Sequence, residues 1–173
     1  MLAQASLLVY AAIVVAMTRD ELDLLEARWR VREITESDLH AVADDLLASG
    51  EEGNALVYLF SLDRDQLRWA GADAFESLLR AWGGGTLDEQ KAVGIVLREL
   101  AAGIVAGRIT PLEATSAANA MDVRTAHTYS VLARWRDLHE ELGYLDRSGS
   151  SYLGRDQATV EADVVALARS LLG

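Results

Sequence analysis

An all-α fold is what this chain predicts: a single compact array of seven to eight helices, on three observations. Five times a Ser, Thr or Asp is followed three residues later by Glu, Asp or Gln, just ahead of an apolar run. The pairs are Thr18/Glu21, Thr35/Asp38, Asp63/Gln66, Thr86/Glu89 and Thr110/Glu113. In such a pair the first side chain caps a free backbone N–H, and its partner reaches back to a second one. Glycines then close the segments at Gly50, Gly83 to Gly85, Gly107 and Gly143, where a left-handed residue ends a helix without a Cβ clash. No stretch alternates with period two over a useful length, so strands are not expected.

The elements follow in order. A first helix over 19–33 sets Leu22, Leu25 and Trp29 on one face, and a second over 36–49 buries Leu39, Val42, Ala43, Leu46 and Leu47. Residues 54–62 are apolar nearly all round, which predicts a central helix. Residues 64–82 read as one interrupted helix or two short ones, because Gly71 weakens the middle. The Gly83-Gly84-Gly85 run is the natural joint, where two subdomains would meet. A long helix over 87–106 turns Val93, Val96, Leu97, Leu100 and Ile104 inward. Pro111 restarts the chain, since proline at a first helical position loses no useful N–H. A short helix and a tight turn at Met121-Asp122-Val123 precede a helix over 123–142 with Leu132, Trp135 and Leu138 inward. The last helix, over 157–172, presents Val160, Val164, Leu167 and Leu171.

Residues 1–17 form an apolar segment ahead of a helical domain over 18–173. Met1 to Ala16 is shorter than the roughly 18 to 20 residues a bilayer span needs, so no integral span is expected. It lacks the positive start of a secretory signal. Four readings stand: an extra packed helix, an upstream extension of a chain whose true start is Met17, a weak signal, or, least favoured, a membrane anchor.

Composition narrows the function. The net charge of -11 and sequence pI near 4.6 disfavour a general nucleic-acid or anionic-membrane surface. With no cysteine, disulfides, thiolate catalysis and cysteine-ligated metals are excluded. Lys91 is the single lysine, and with abundant arginine and alanine it suggests a bacterial source. The acidity is concentrated: residues 18–53 hold eleven acids against four arginines.

No motif declares a chemistry. Glu36, His40 and Asp44 share a helical stripe that could ligate a metal, but the apolar residues lie elsewhere and the stripe reads as a solvated face. His127 and His139 have no partner at ligand spacing, and no nucleophile elbow, Walker or dinucleotide glycine pattern occurs. No cofactor, metal or catalytic residue is expected. The loop from Gly143 to Asp156 is long for a helical domain, and Tyr144, Arg147, Tyr152 and Arg155 are its binding candidates. Three arginines and His127, with no acid, fill Arg124 to Arg136. That pattern predicts a helix-turn-helix over 111–136 whose recognition helix begins with Arg124, Thr125, His127 and Thr128. Of the four tryptophans, Trp69 fits the apolar stripes least and is the candidate exposed anchor.

The leading expectation is a non-enzymatic, cytoplasmic interaction module of bacterial type, an immunity or antitoxin protein that neutralises a basic protein partner. Asp44, Asp45, Glu51 and Glu52 would supply its docking charge. A DNA-binding regulator is the runner-up, and a homodimer is a further candidate assembly.

Overall fold

A computed structural model describes residues 17–149 and 153–173. The expectations for residues 1–16, and that for Tyr152, lie outside the described residues. Among the described residues the chain is all-α, with eight helices and no strand. They are α1 (Arg19–Arg30), α2 (Leu39–Ala48), α3 (Asn54–Ser61), α4 (Arg64–Ala81), α5 (Glu89–Val105), α6 (Pro111–Arg124), α7 (Ser130–Ser148) and α8 (Gln157–Leu172). The chain divides into two compact units. Of the described residues, the first takes in those up to Trp29 together with Ile34–Leu87, and the second Arg30–Glu33 together with those from Asp88 to Gly173. The division falls just past the expected glycine joint.

In the first unit α1 opens on the Thr18/Glu21 pair: the Thr18 hydroxyl accepts from Glu21 N at 3.3 Å, and Glu21 Oε2 accepts from Thr18 N at 2.7 Å. Thr35/Asp38 corrects the expectation of a helix from 36. Asp38 Oδ2 accepts from Thr35 N at 2.8 Å and closes a turn, so α2 starts only at Leu39. Gly50, at φ 93°, reverses the chain after α2; Glu51 N then donates to Leu46 O at 3.0 Å. The expectation that this apolar stretch forms a central helix is met only on one side of α3, where Leu56 and Leu59 are buried while Val57 and Tyr58 are exposed. Two neighbours, α2 and α4, cover only part of so short a helix.

The stretch 64–82 is one helix. Asp63 and Gln66 form a complete capping box for α4, and Gly71 is no break but a contact. A Cβ there would sit 3.1 Å from Leu39 Cδ1, so the bare backbone is what lets α2 approach α4. The core of this unit gathers Leu39, Leu56, Leu59, Phe75 and Leu78, with Trp29 tilted against Phe75 at 5.0 Å.

In the second unit α5 is capped by Asp88, which accepts from Lys91 N at 2.7 Å, not by Thr86 as the Thr86/Glu89 pair predicts. The reason is tertiary. The wholly buried Glu26 carboxylate accepts from Gly85 N at 2.7 Å and Leu87 N at 2.8 Å, which holds 85–87 outside the helix. Thr110/Glu113 does form the expected capping box on α6, with Pro111 in the first turn. However, α6 runs through Met121, Asp122 and Val123 to Arg124, so the tight turn expected there is helix. Gly143 likewise lies inside α7, which ends at Ser148 and is capped by Gly149. The core is built where α6 packs on α7 and α8 packs on α5 and α7, around Leu132, Leu138 and the fully buried Trp135.

Candidate functional site

The first unit carries a cleft of about 510 Å³ beside the start of α2 and the α3–α4 corner. The Thr35–Asp38 turn brings Glu36 and Ser37 to its rim, and α2 contributes His40, whose ring lies 4.9 Å from that of Phe60. Leu62, extended at the end of α3, and Leu67 on α4 give it an apolar lining while being themselves only 5% and 6% exposed. Arg64 and Arg68 stand one helical turn apart on α4 and complete the wall. Asp63 also lines it, but its Oδ1 is engaged, accepting from Asp65 N at 2.9 Å and Gln66 N at 2.8 Å. Of the expected Glu36–His40–Asp44 stripe, all three side chains are exposed, and Glu36 falls in the turn before the helix. The arginines and leucines of the cleft were not singled out from sequence. Their spacing at 64 and 68 was visible, whereas the approach of residue 40 to α4 was not.

A second feature of this unit is its acidic exterior. Asp44, Asp45 and Glu52 are exposed, and no cationic side chain among the described residues pairs with them. Trp69 is 88% exposed on α4, with Asp65 and Asp73, also exposed, one turn to either side. The α4 residues that are buried, including Leu67, Phe75 and Leu78, lie on the opposite face. Glu51 is a correction: it is 4% exposed, and its Oε2 is shielded with no hydrogen-bond partner among the described residues. The reversal at Gly50 turns it inward and removes it from the exposed acidic surface.

The second unit uses its charges differently. Asp122 is 1% exposed, and its Oδ2 lies 2.7 Å from His127 Nδ1 and accepts from Arg136 Nη1 at 2.8 Å, which ties α6 to α7. Ala126 and His127 both take positive φ, 52° and 57°, so the chain reverses there and α7 begins only at Ser130. The expected recognition helix therefore does not start at Arg124. Arg124 Nε donates to Val31 O at 3.1 Å, and the buried Thr125 hydroxyl donates to Met121 O at 3.0 Å. Thr128 caps the turn by donating to Thr125 O at 2.6 Å. Arg155 is a further correction. Its guanidinium donates to the buried Glu141 at 3.1 Å and to Asp163 at 2.7 Å, so it is an internal clamp and not a free contact. Tyr144 and Arg147 are exposed near the end of α7.

Shifted titrations mark helix starts. The backbone N–H of Thr110, then its hydroxyl, holds Glu113 below the ordinary carboxylate range, and Thr18 acts in the same order on Glu21. The Thr159 hydroxyl, then its N–H, lowers Asp156. Among the described residues no group of three or more His, Asp or Glu is placed to hold a metal ion, and no helix is long and apolar enough to cross a membrane. Compared with known proteins, the chain matches no family model, no curated sequence and no solved structure.

Proposed function

We propose that the first unit is the docking surface of a non-enzymatic, acidic interaction protein of bacterial type, which engages a basic protein partner as an immunity or antitoxin protein would. The observation that carries this reading is Trp69, an indole 88% exposed on a helix whose opposite face is buried, with a carboxylate one turn to either side. Exposed apolar surface forgoes about 25 cal/mol per Å² until something covers it. Indoles set among complementary polar groups are the usual energetic centres of interfaces. A partner's guanidinium or ammonium would meet the ring face and a carboxylate together.

The unpaired Asp44, Asp45 and Glu52 would attract the same partner from a distance. A second copy of the chain would set like charges against each other, so the homodimer finds no support on this face. The DNA reading draws no comparable support, since Arg124 and Thr125 are engaged with backbone carbonyls. On this reading the protein works in the cytoplasm and needs no cofactor.

The test is native capture with mass spectrometry, followed by association kinetics of the purified pair at low salt. The triple variant D44K/D45K/E52K slows association at least about tenfold. Trp69→Ala leaves that rate unchanged and speeds dissociation by about tenfold. A genuine partner whose kinetics ignore both changes would remove the proposal.

A further inference from the structure

The cleft at the start of α2 has a chemistry of its own, with two arginines in its wall where the rest of the exterior described above is acidic. Arg64 and Arg68 are side by side on α4, and like charges at that spacing destabilise a helix unless an anion offsets them. Neither is satisfied internally. The carboxylate nearest Arg68, Asp65, is 3.9 Å away in a highly exposed pair, and Arg64 has no acceptor among the described residues. By contrast Arg19 and Arg80 of the same unit donate to Gly83 O at 2.7 Å and Glu76 O at 3.1 Å. Asp63 Oδ1 is taken up by the α4 cap and Asp63 makes no ion pair with either arginine, so the lining sets two guanidiniums without a close acceptor beside the carboxylates of Glu36 and Asp63. A cationic occupant would meet two like charges that have no close acceptor of their own.

The other half of the wall is apolar. Leu62 and Leu67 are almost wholly buried yet line the cavity, and the His40 ring packs on Phe60 beside them. The volume of about 510 Å³ falls in the range of roughly 300 to 1,000 Å³ typical of small-molecule clefts. We infer that this cleft binds a small organic anion: a carboxylate or phosphate held by Arg64 and Arg68, carried on an apolar body that rests on Leu62 and Leu67. Planar guanidiniums match both headgroups in bidentate fashion. The inference does not depend on the reading of Trp69 and the acidic face.

The experiment titrates the full chain with phenyl phosphate, phenylacetate and inorganic phosphate, read by calorimetry and by the methyl resonances of Leu62 and Leu67. Saturable binding of at least one aryl anion is expected, with both methyl groups shifting, and the tighter of the two identifies the headgroup. R64Q/R68Q weakens it at least about tenfold, and inorganic phosphate binds about tenfold more weakly than phenyl phosphate for want of the apolar contact. Glu36→Gln strengthens binding about twofold by removing the competing carboxylate, a gain that a misfolded variant could not produce. The inference is overturned if no probe saturates at millimolar concentration. It is equally overturned if R64Q/R68Q binds as well as the parent, or if inorganic phosphate matches its phenyl ester.

Discussion

Both units bury a paired carboxylate, Glu26 in the first and Asp122 in the second, but they differ in the charges they leave at the surface. In the second, charge is turned inward: Asp122 joins His127 and Arg136, while Arg155 joins the buried Glu141 to Asp163, which also meets Arg134 at 3.2 Å. In the first, Asp44, Asp45 and Glu52 face solvent unpaired, and Arg64 and Arg68 line a cleft without a close acceptor. The same contrast appears in the tryptophans, fully buried at Trp135 and 88% exposed at Trp69. A buried charge is costly unless paired, because desolvation is offset by partners at hydrogen-bond distance. A surface charge left unpaired costs little and stays available to something outside. On the proposed reading the first unit is the one that binds, and it keeps unpaired charge at its surface where the second unit pairs Asp122 and Glu141 internally.

The largest effect that tests this comparison is the tryptophan exchange. Trp135→Ala should cost about 3 to 5 kcal/mol in urea unfolding, whereas Trp69→Ala stays within about 0.5 kcal/mol, because it removes no buried contact. Comparable losses at both positions would erase the distinction. Next come the carboxylates. Asp122→Ala and Glu141→Ala should each cost about 2 kcal/mol, less than a fully buried pair because Arg136 and Arg155 keep some access to water. D44N/D45N should leave the urea midpoint unchanged or raise it slightly, since it relieves like-charge repulsion.

The smallest expected effect is with pH, and it should be common to both units. Glu21 and Asp38 in the first, and Glu113 and Asp156 in the second, are held below their ordinary values by hydrogen bonds at helix or turn starts. Because the folded values are the lower ones, their contribution is complete above the ordinary carboxylate range and fades as pH falls through the folded values. The urea midpoint should be flat from about pH 8 to 6 and drop between about pH 5 and 3. Thr110→Val, which deletes one of the bonds that lower Glu113, should soften that drop; an equally steep fall would deny the caps their part in it.

Helix starts were readable from sequence where the capping residues are neighbours in the chain. Thr18/Glu21, Asp63/Gln66 and Thr110/Glu113 all close as expected. Thr86/Glu89 does not, because Glu26, some sixty positions away, claims the amides of Gly85 and Leu87 first. Gly71 looked like an interruption and is a close-packing point against Leu39, a contact that spacing along one helix cannot reveal. The exposed acids and Trp69 were visible because they depend on having no partner and stand out from the apolar stripes. Glu51 and Arg155 were misassigned because their burial or pairing comes from a chain reversal in one case and from α7 and α8 in the other.

By itself, then, the sequence determined the α-helical class, most helix boundaries and the excess of negative charge over residues 18–53. These rest on periodicity, capping and composition, which act over a few residues. Which charges are paired, where Arg64 and Arg68 meet His40 across a cleft, and which glycine is a turn and which a contact were decided by tertiary packing alone. Those properties depend on side chains far apart in the chain coming within a few ångströms, and no local pattern encodes that distance.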